Sequence, residues 1–522
     1  MKRIALFLSH LCCFVMYSQS PTVVWSKYFG GTLGNTTEAT SIQKTTDGGY
    51  IVGGRVSGTH PEASNYHDDG NSSYYPDGFV VKVDSNFNLQ WSKCYGTIYN
   101  ESIRQIKQTS DGGYIFVGEA YVAFEGNAFW IVKINATGDV IWEKKYGGNG
   151  TDNAENVEEK VGGGFLVSGT STSSNGNVTA NFGYTDYWVI NMDSNGNLLS
   201  NANFGGAGND DCHGLVVNSD GTYVIAGEAA SYAGQVTCRT PAFCDSSYWI
   251  AKLGSTDNII WTQCVSPYSA GSNLFCTPYD MIKTSNNGYI LVGRGIDNTN
   301  GNSYGASDVW IVKLDSNGTI EWRENYGGSN NEYGYAIKQT TDGGYIIVGD
   351  SYSSDGNVTV TLPAYSEDNG WIFKINSTGV LEWQKTIGSA SFGYDYFNDV
   401  IQISPTEYIA VGKAGNSNGD CIDSNGRRFW VTKITTTALG ITTNPLIGFE
   451  IEVYPNPTND RLHYKTNEIV KTVSINDISG RKVLEVSSDN IMDTDISSLA
   501  KGVYIVTISN GYFSTSRKII KK

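Results

Sequence analysis

One phrase recurs seven times along the chain and constrains the fold more than any other feature of the sequence. It is an aromatic residue followed by apolar residues and a glycine, as in Tyr50-Ile51-Val52-Gly53, and its copies lie about 60 residues apart. The seven aromatic residues are Tyr50, Tyr114, Phe165, Tyr223, Tyr289, Tyr345 and Tyr408. Such a repeat predicts units that bury a core only by packing against their neighbours.

Two other phrases accompany each copy. One has the form Trp-Ile-Val-Lys, as at residues 310–313, and the other carries a tryptophan such as Trp322 and often ends in Gly-Gly. β-Branched and aromatic residues dominate both, which is typical of strands. Together with the segment that precedes the aromatic phrase, each unit therefore contains four strands, named A, B, C and D in chain order.

The order of these strands is offset along the chain. A strand of type D, near residues 23–29, comes before the first unit, and the last unit ends after its C strand at Trp430. The first strand can pair with the last C strand and close a ring, which removes exposed sheet edges. We therefore predict an all-β chain with a seven-bladed β-propeller of four-stranded blades at residues 21–434. A parallel β-helix or another solenoid is the alternative, but it would not require the offset.

Composition agrees with an ordered β protein. The chain has 61 glycines among 522 residues, 17% charged residues and 12% aromatic residues, which is the opposite of a disordered composition. The formal net charge is −16, and no basic face is present, so we expect no nucleic-acid partner.

The repeat is similar to quinoprotein-type propeller repeats, in which an Asp, a Gly and a Trp dock a turn. Asp315, Gly318 and Trp322 fit this pattern with a shorter spacing, and a weaker similarity links the Gly-Gly and Trp pattern to kelch repeats. The resemblance supports a blade and does not imply the quinone, so we expect no cofactor.

Both ends of the chain carry export features. Residues 1–20 are predicted as a signal peptide, because Lys2 and Arg3 precede a short apolar run and small or polar residues. That run is too short to span a membrane, and no later segment could span one, so no transmembrane segment is expected in the mature chain. Residues 435–450 are threonine-rich and are predicted as a linker.

Residues 451–522 have a different sequence character. They resemble the type A C-terminal sorting domain of the type IX secretion system of the Bacteroidota. The motif residues are Tyr454, Pro455, Asn456, Pro457, Gly480, Gly502 and Tyr504. The resemblance implies a small Ig-like β-sandwich, passage through the outer membrane and removal of the domain by a sortase-like peptidase. The secretion machinery and that peptidase are the implied partners, and the product would be secreted or attached to the outer cell surface. A generic adhesive sandwich is the alternative.

Long loops on one propeller face are the predicted place for a ligand, because the B-to-C and D-to-A connections share that face. Aromatic residues beside carboxylates suit sugar binding, and carboxylates with carbonyls also suit calcium. The candidate residues are Asp68, Asp69, Tyr74, Tyr75, Tyr184, Asp186, Asp210, Asp211, Tyr365, Glu367 and Asp368. The alternative is that they are solvated loop residues of an acidic exported protein.

We therefore predict a secreted or cell-surface propeller that recognises a glycan or a surface protein. An extracellular polysaccharide hydrolase or lyase that uses carboxylates of this face is one alternative, and a structural surface protein without a small ligand is another. No histidine pair has zinc-type spacing and no nucleophile elbow is evident, so no catalytic residue is assigned.

Cysteine spacing predicts local disulfides in an exported chain. Cys238 and Cys244 lie in one loop, and Cys264 and Cys276 lie in the next. Reduced, buried thiols are the alternative.

Overall fold

The computed structural model describes most of the chain after residue 19. The described ranges are 20–30, 37–58, 61–63, 65–67, 75–123, 125–231, 233–236, 238, 246–266, 276–295, 307–358, 368–388, 394–415, 429–437, 451–466, 469–477, 481–509 and 514–522. These ranges contain strands and turns and no helix, so they offer no helix that could cross a membrane. The chain divides into two compact units, of which one is Ser20–Thr436 and the other contains the residues that follow. Residues 1–19 of the predicted signal peptide and most of the predicted linker lie outside the described residues.

The first unit consists of four-stranded antiparallel sheets. Seven such sheets are formed by its described residues, and each follows the A-B-C-D order of one sequence repeat. In chain order the strands are β1 (Ser20–Phe29), β2 (Glu38–Lys44), β3 (Tyr50–Val56), β4 (Asp77–Val83), β5 (Leu89–Tyr95), β6 (Glu101–Gln108), β7 (Tyr114–Val122), β8 (Gly126–Ile134), β9 (Val140–Tyr146), β10 (Asp152–Glu159), β11 (Phe165–Ser171), β12 (Asp186–Met192), β13 (Leu198–Phe204), β14 (Asp210–Val217), β15 (Tyr223–Ala229), β16 (Ser247–Leu253), β17 (Ile259–Val265), β18 (Thr277–Lys283), β19 (Tyr289–Gly295), β20 (Asp308–Leu314), β21 (Ile320–Tyr326), β22 (Glu332–Gln339), β23 (Tyr345–Ser351), β24 (Asn369–Ile375), β25 (Leu381–Ile387), β26 (Tyr396–Ser404), β27 (Glu407–Lys413) and β28 (Phe429–Thr437).

The offset strand closes the ring as the sequence predicts. Blades 1 to 6 are β2–β5, β6–β9, β10–β13, β14–β17, β18–β21 and β22–β25. Blade 7 has the order β1-β28-β27-β26, so the first strand of the chain supplies its outer strand. The A strands contact one another in a closed circuit from β2 through β6, β10, β14, β18, β22 and β26 back to β2. The A strands are therefore the innermost strands, and they surround a central channel.

Burial decreases from the middle of each blade to its outer edge. The C strand β20 is buried along its whole length, because it pairs on both sides and both of its faces pack against neighbouring blades. The outer strand β9 is exposed or half-exposed throughout. Six C strands each place a fully buried tryptophan between blades, and these are Trp130, Trp188, Trp249, Trp310, Trp371 and Trp430. Burial of these large rings couples each blade to the next.

A lysine and a turn carboxylate hold the A-to-B turn of blade 1 against its C strand. Lys82 ends the Phe-Val-Val-Lys phrase, is 2% exposed, and donates to the carboxylate of Asp47 at 2.8 Å. The same carboxylate accepts from the backbone N–H of Gly49 at 2.9 Å, which fixes the turn. The Lys133–Asp111 and Lys374–Asp342 pairs repeat the arrangement in blades 2 and 6. The repeated lysine and the repeated Asp-Gly-Gly are thus two halves of one structural contact.

We expect Asp47→Asn to lower the free energy of unfolding by about 1 kcal/mol at neutral pH, because Lys82 stays buried without a charged partner while solvent screens the exposed side of the pair. The hydrogen bond from Lys82, followed by that from Thr45, lowers the pKa of Asp47 to about 2. A lowered folded-state pKa gives stability that is complete above pH ~4 and is lost as the pH falls towards 2. Urea unfolding at several pH values measures the difference in the free energy of unfolding between the wild type and Asp47→Asn, and this difference should become smaller below pH ~4. A gap that stays constant would contradict the assignment.

The second unit is a two-sheet sandwich. Its strands are β29 (Ile451–Tyr454), β30 (Arg461–Thr466), β31 (Thr472–Asp477), β32 (Lys482–Ser487), β33 (Asp493–Asp495), β34 (Gly502–Ser509) and β35 (Ser514–Lys521). One sheet has the order β29-β30-β33 and the other β32-β31-β34-β35. A core that includes Leu462, Ile475 and Val506 lies between them.

The sorting motif ties the start of this unit to its last strand. The side-chain N–H of Asn456 donates to the carbonyl of Lys518 at 2.8 Å, and its Oδ1 accepts from the N–H of Ile520 at 3.0 Å. Tyr504 lies on β34, and its hydroxyl donates to the carbonyl of Ala500 at 2.8 Å. Gly480 lies outside the described residues. The motif therefore has a structural use within the sandwich.

Two of the four cysteines predicted as disulfide candidates are bonded to each other. Cys238 is bonded to Cys264, so the bond joins the B-to-C loop of blade 4 to the D strand β17 of the same blade. Each of these residues was expected to pair within its own loop, but the fold brings the loop over the outer strand instead. Cys276 is buried at the start of blade 5, and Cys244 lies outside the described residues.

Proteolysis under non-reducing conditions should yield a peptide pair that contains Cys238 and Cys264. The bond closes a loop with a sequence separation of 26 residues, so Cys264→Ser should lower the free energy of unfolding by about 2–4 kcal/mol. Cys212→Ser, which removes a buried thiol outside any disulfide, is the matched control. A linked Cys238–Cys244 peptide would contradict this pairing.

Candidate functional site at the channel mouth

Every A strand carries a β-bulge at the same place. In each A–B pair the register skips one residue of the A strand, for example between Ala39 and Ser41 in blade 1. The skipped residues are Thr40, Arg104, Glu155, His213, Tyr279, Tyr335 and Asn398. A bulge residue is freed from the ladder, which lets the strand re-aim its side chain. The seven bulge residues form one ring of side chains around the channel.

Contacts between neighbouring members confirm this ring. Arg104 lies 3.9 Å from the carboxylate of Glu155. The rings of His213 and Tyr279 are 5.9 Å apart, and those of Tyr279 and Tyr335 are 5.3 Å apart. The hydroxyl of Thr40 donates to the carbonyl of Ile103 in the next blade at 2.7 Å. None of the seven bulge residues is among the residues predicted from the sequence, although each lies ten residues before a repeated aromatic residue.

Tyrosines form one half of the channel mouth. We call Tyr279, Tyr333, Tyr335, Tyr352 and Tyr396 the aromatic wall. Tyr333 and Tyr335 stack with an interplanar angle of 5° at 6.2 Å, and Tyr335 meets Tyr396 edge-on at 6.2 Å. Tyr352 packs against Tyr333 at 6.4 Å and is 37% exposed. These rings therefore form a continuous aromatic surface over blades 5, 6 and 7.

A buried carboxyl group lies within the aromatic wall. Asp350 is the last residue but one of the B strand of blade 6 and is only 3% exposed. Burial, together with the charges of Asp368 and Glu332, raises its pKa well above the usual value. Its Oδ1 accepts no hydrogen bond from the described residues. A buried acceptor in this state favours a donor from a ligand or from water.

Carboxylates form the other half of the mouth, in blades 2, 3 and 4. We call Glu119, Glu155, Asp211 and Glu228 the acidic wall. Arg104 stands between two of them, 3.5 Å from Glu119 and 3.9 Å from Glu155. Water reaches about 25% of the Glu155 side chain, but the surrounding blades still desolvate it. This burial, with the nearby charges of Glu119 and Asp211 and against that of Arg104, raises the pKa of Glu155 to about 7.

The raised pKa of Glu155 predicts a pH dependence of stability. The folded chain holds this proton up to pH ~7, whereas the unfolded chain releases it near pH ~4.3, so folding loses free energy as the pH rises between these values. Glu155→Gln cannot ionise and should not show this loss. Urea unfolding of both proteins from pH 4 to 8 should show the wild type losing stability relative to the variant, and parallel curves would count against it.

Two of the predicted loop residues are fully buried in the structure. Asp210 accepts from the N–H of Gly206 at 2.8 Å and from the hydroxyl of Ser231 at 2.7 Å. Asp152 and Glu332 repeat this contact in blades 3 and 6, which indicates a clamp between the D-to-A and B-to-C loops. Asp186 accepts from the N–H of Phe182 at 2.6 Å, and burial raises its pKa to about 6.

Other predicted residues fall into three groups. Asp211 belongs to the acidic wall, and Asp368 accepts from the hydroxyl of Tyr352 of the aromatic wall at 3.4 Å. Tyr75 and Tyr184 are 45% and 74% exposed on loops. Outside the described residues lie Asp68, Asp69, Tyr74, Tyr365 and Glu367. Within the described part of the chain, no three His, Cys, Asp or Glu side chains are grouped to hold a metal ion, and calcium stays a prediction for the loops.

Comparison with solved structures finds distant propeller-like chains. The extracellular domain from B. thetaiotaomicron assigned to a hybrid two-component system has 10% identity and a TM-score of 0.39 over 95% of this chain and 57% of its own length. The extracellular domain assigned to a one-component system of the same organism has 10% identity and a TM-score of 0.42, and the match covers 97% of this chain and 59% of that domain. A quinohemoprotein alcohol dehydrogenase from Pseudomonas putida has 10% identity and a TM-score of 0.41 over 84% and 79%. The chain thus spans less than two thirds of the first two.

Comparison with protein families identifies the second unit. No curated protein matches the chain. Residues 452–522 match the family described as the secretion system C-terminal sorting domain. These residues also form the predicted sandwich, with its motif asparagine bonded to the last strand. The chain is therefore an exported β-propeller protein that carries a C-terminal sorting domain of the type IX secretion system.

Proposed function

We propose that the propeller binds an extracellular glycan at the channel mouth. The observation that supports this proposal is the aromatic wall, in which five contiguous tyrosine rings lie on one side of the channel. Tyrosine combines a flat apolar face with a polar tip, so sugar rings can stack on the wall while their hydroxyl groups are hydrogen-bonded. Export to the cell exterior places the site where polysaccharides are found.

The acidic wall supplies the complementary polar contacts. Carboxylates accept hydrogen bonds from sugar hydroxyls, and such charge-assisted bonds are stronger than neutral ones. Glu155 and Asp211 lie in blades 3 and 4, on the half of the ring away from Tyr335 and Tyr396 in blades 6 and 7. A ligand between the halves would thus have an apolar face on one side and acceptors on the other.

Glycoside hydrolysis at the same mouth is a second candidate. It is favoured by Glu155, whose raised pKa of about 7 would keep part of the population protonated near neutral pH. General acid catalysis of glycoside cleavage uses a protonated carboxyl group that lies near a second carboxyl group. Hydrolysis would appear as turnover of a bound glycan that Glu155→Gln abolishes without loss of binding.

The test is binding of the purified chain, residues 20–522, to a glycan and polysaccharide array with and without calcium. Tyr335→Ala should weaken binding by about tenfold or more, because it removes the ring at the centre of the wall. Tyr335→Phe keeps the ring and should bind much as the wild type does. Thermal unfolding checks that both variants remain folded.

Tyr184→Ala is the matched control, because it removes an exposed tyrosine on a loop of the same propeller. If Tyr184→Ala lowers binding and Tyr335→Ala does not, the ligand binds the loops and the channel proposal is wrong. Failure of every glycan to bind would point instead to a protein partner or a structural role.

A further inference from the structure

Among the described residues, Arg294 differs from the other arginines of the channel mouth in having no carboxylate at ion-pair distance. Arg55, at the equivalent position of blade 1, pairs with Glu38 at 2.8 Å. Arg104 pairs with two glutamates of the acidic wall. Within the described residues, Arg294 has no carboxylate at ion-pair distance, although it is only half-buried at the end of β19. No carboxylate of this part of the chain therefore forms an ion pair with Arg294, although the charge of Glu228 lies near it.

Arg294 is nevertheless held in one orientation. Its Nε–H donates to the hydroxyl oxygen of Thr277 at 3.3 Å, and the Thr277 hydroxyl donates to the carboxylate of Glu228 at 2.6 Å. Its guanidinium lies 5.6 Å above the ring of Tyr333, within the range of a cation–π contact. The side chain is thus held at the edge of the aromatic wall, where the hydroxyl of Tyr333 is also a hydrogen-bond partner. A guanidinium has five N–H donors, so further donors remain for a ligand.

We propose that Arg294 binds the anionic group of an acidic sugar whose ring stacks on the aromatic wall. The ligand class is then an acidic polysaccharide with carboxylate or sulfate groups. A planar guanidinium can donate two parallel hydrogen bonds to two oxygens of either group. Such a charged hydrogen bond is stronger in a channel that excludes part of the water. The proposal rests on the proposed glycan site and names the class of glycan it selects.

The overall charge of the chain makes this local cation decisive. With a formal net charge of −16, the protein does not attract polyanions in general, so an acidic ligand needs a specific basic contact. Arg294 lies at the junction of the two halves, because Tyr333 of the aromatic wall is below it and Glu228 of the acidic wall holds Thr277. An anion bound there would leave the hydroxyl groups of the sugar facing the other carboxylates.

The experiment compares acidic and neutral glycans of the same backbone. Oligogalacturonates, their carboxyl-reduced neutral forms and a sulfated galactan are titrated into the purified chain, residues 20–522, and into Arg294→Gln and Arg294→Lys. Arg294→Gln should bind the acidic ligand about 10- to 100-fold more weakly, which is the effect expected from losing a hydrogen bond between charged groups. Arg294→Lys keeps the positive charge but cannot donate two parallel hydrogen bonds, so it should lose less affinity for the acidic ligand than Arg294→Gln. Binding of the neutral form should change little in either variant.

Arg323→Gln is the matched control, because it removes the same charge from the outer strand β21 of the same blade. Comparison of the oligogalacturonate with the sulfated galactan shows whether the site prefers a carboxylate or a sulfate group, and a preference for either supports the proposal. Acidic binding that Arg294→Gln leaves intact, or equal affinity for the acidic and reduced forms, overturns it while the glycan site stands. If no glycan binds at all, the proposed function fails and this inference fails with it.

Discussion

Closure of the ring is the constraint on which the rest of this propeller depends. Each four-stranded sheet buries its faces only against its neighbours, so an open array would expose one whole sheet face at each end. Pairing of β1 with β28 in blade 7 joins the two ends of the repeat region. Side chains reinforce that pairing, since the indole N–H of Trp430 donates to the hydroxyl of Ser26 at 3.2 Å and the hydroxyl of Thr432 donates to the carbonyl of Trp25 at 3.2 Å. The channel and its mouth exist only because this circuit is complete.

A single backbone irregularity turns the ring into a candidate binding site. The bulge in every A strand releases one residue from the ladder, and the closed circuit brings these residues together around the channel. The surrounding positions repeat because they pack between blades, whereas the seven bulge positions carry six different residue types, with tyrosine at two of them. The bulge has the same place in every blade, but its side chain varies. This pattern is expected when some positions of a scaffold serve packing and others serve function.

Carboxylates in this protein have two distinct uses. Asp47, Asp210 and Asp186 hold turns and loops, and their oxygens are used by lysine, hydroxyl and amide donors. Glu155 belongs to the acidic wall and Asp350 lies within the aromatic wall instead. The sequence cannot distinguish these two uses, because an acidic residue near a loop looks the same in the sequence whether it holds the loop or lines the channel mouth. The difference depends on which donors the fold places within hydrogen-bond distance.

The sequence alone determined the repeat, the strand order, the offset that closes the ring and the sorting domain, because all of these follow from local periodicity and contiguous motifs. It placed the ligand on the long loops, and among its described candidates only Asp211 belongs to one of the two walls, with Asp368 bonded to the other. Arg104, Glu155, His213, Tyr279 and Tyr335 were not predicted, since they are about 60 residues apart in sequence and meet only around the channel. The partner of Cys238 was likewise decided by the fold, which lays a loop over an outer strand. Contacts of this kind depend on how distant segments close in space, and no local pattern records them.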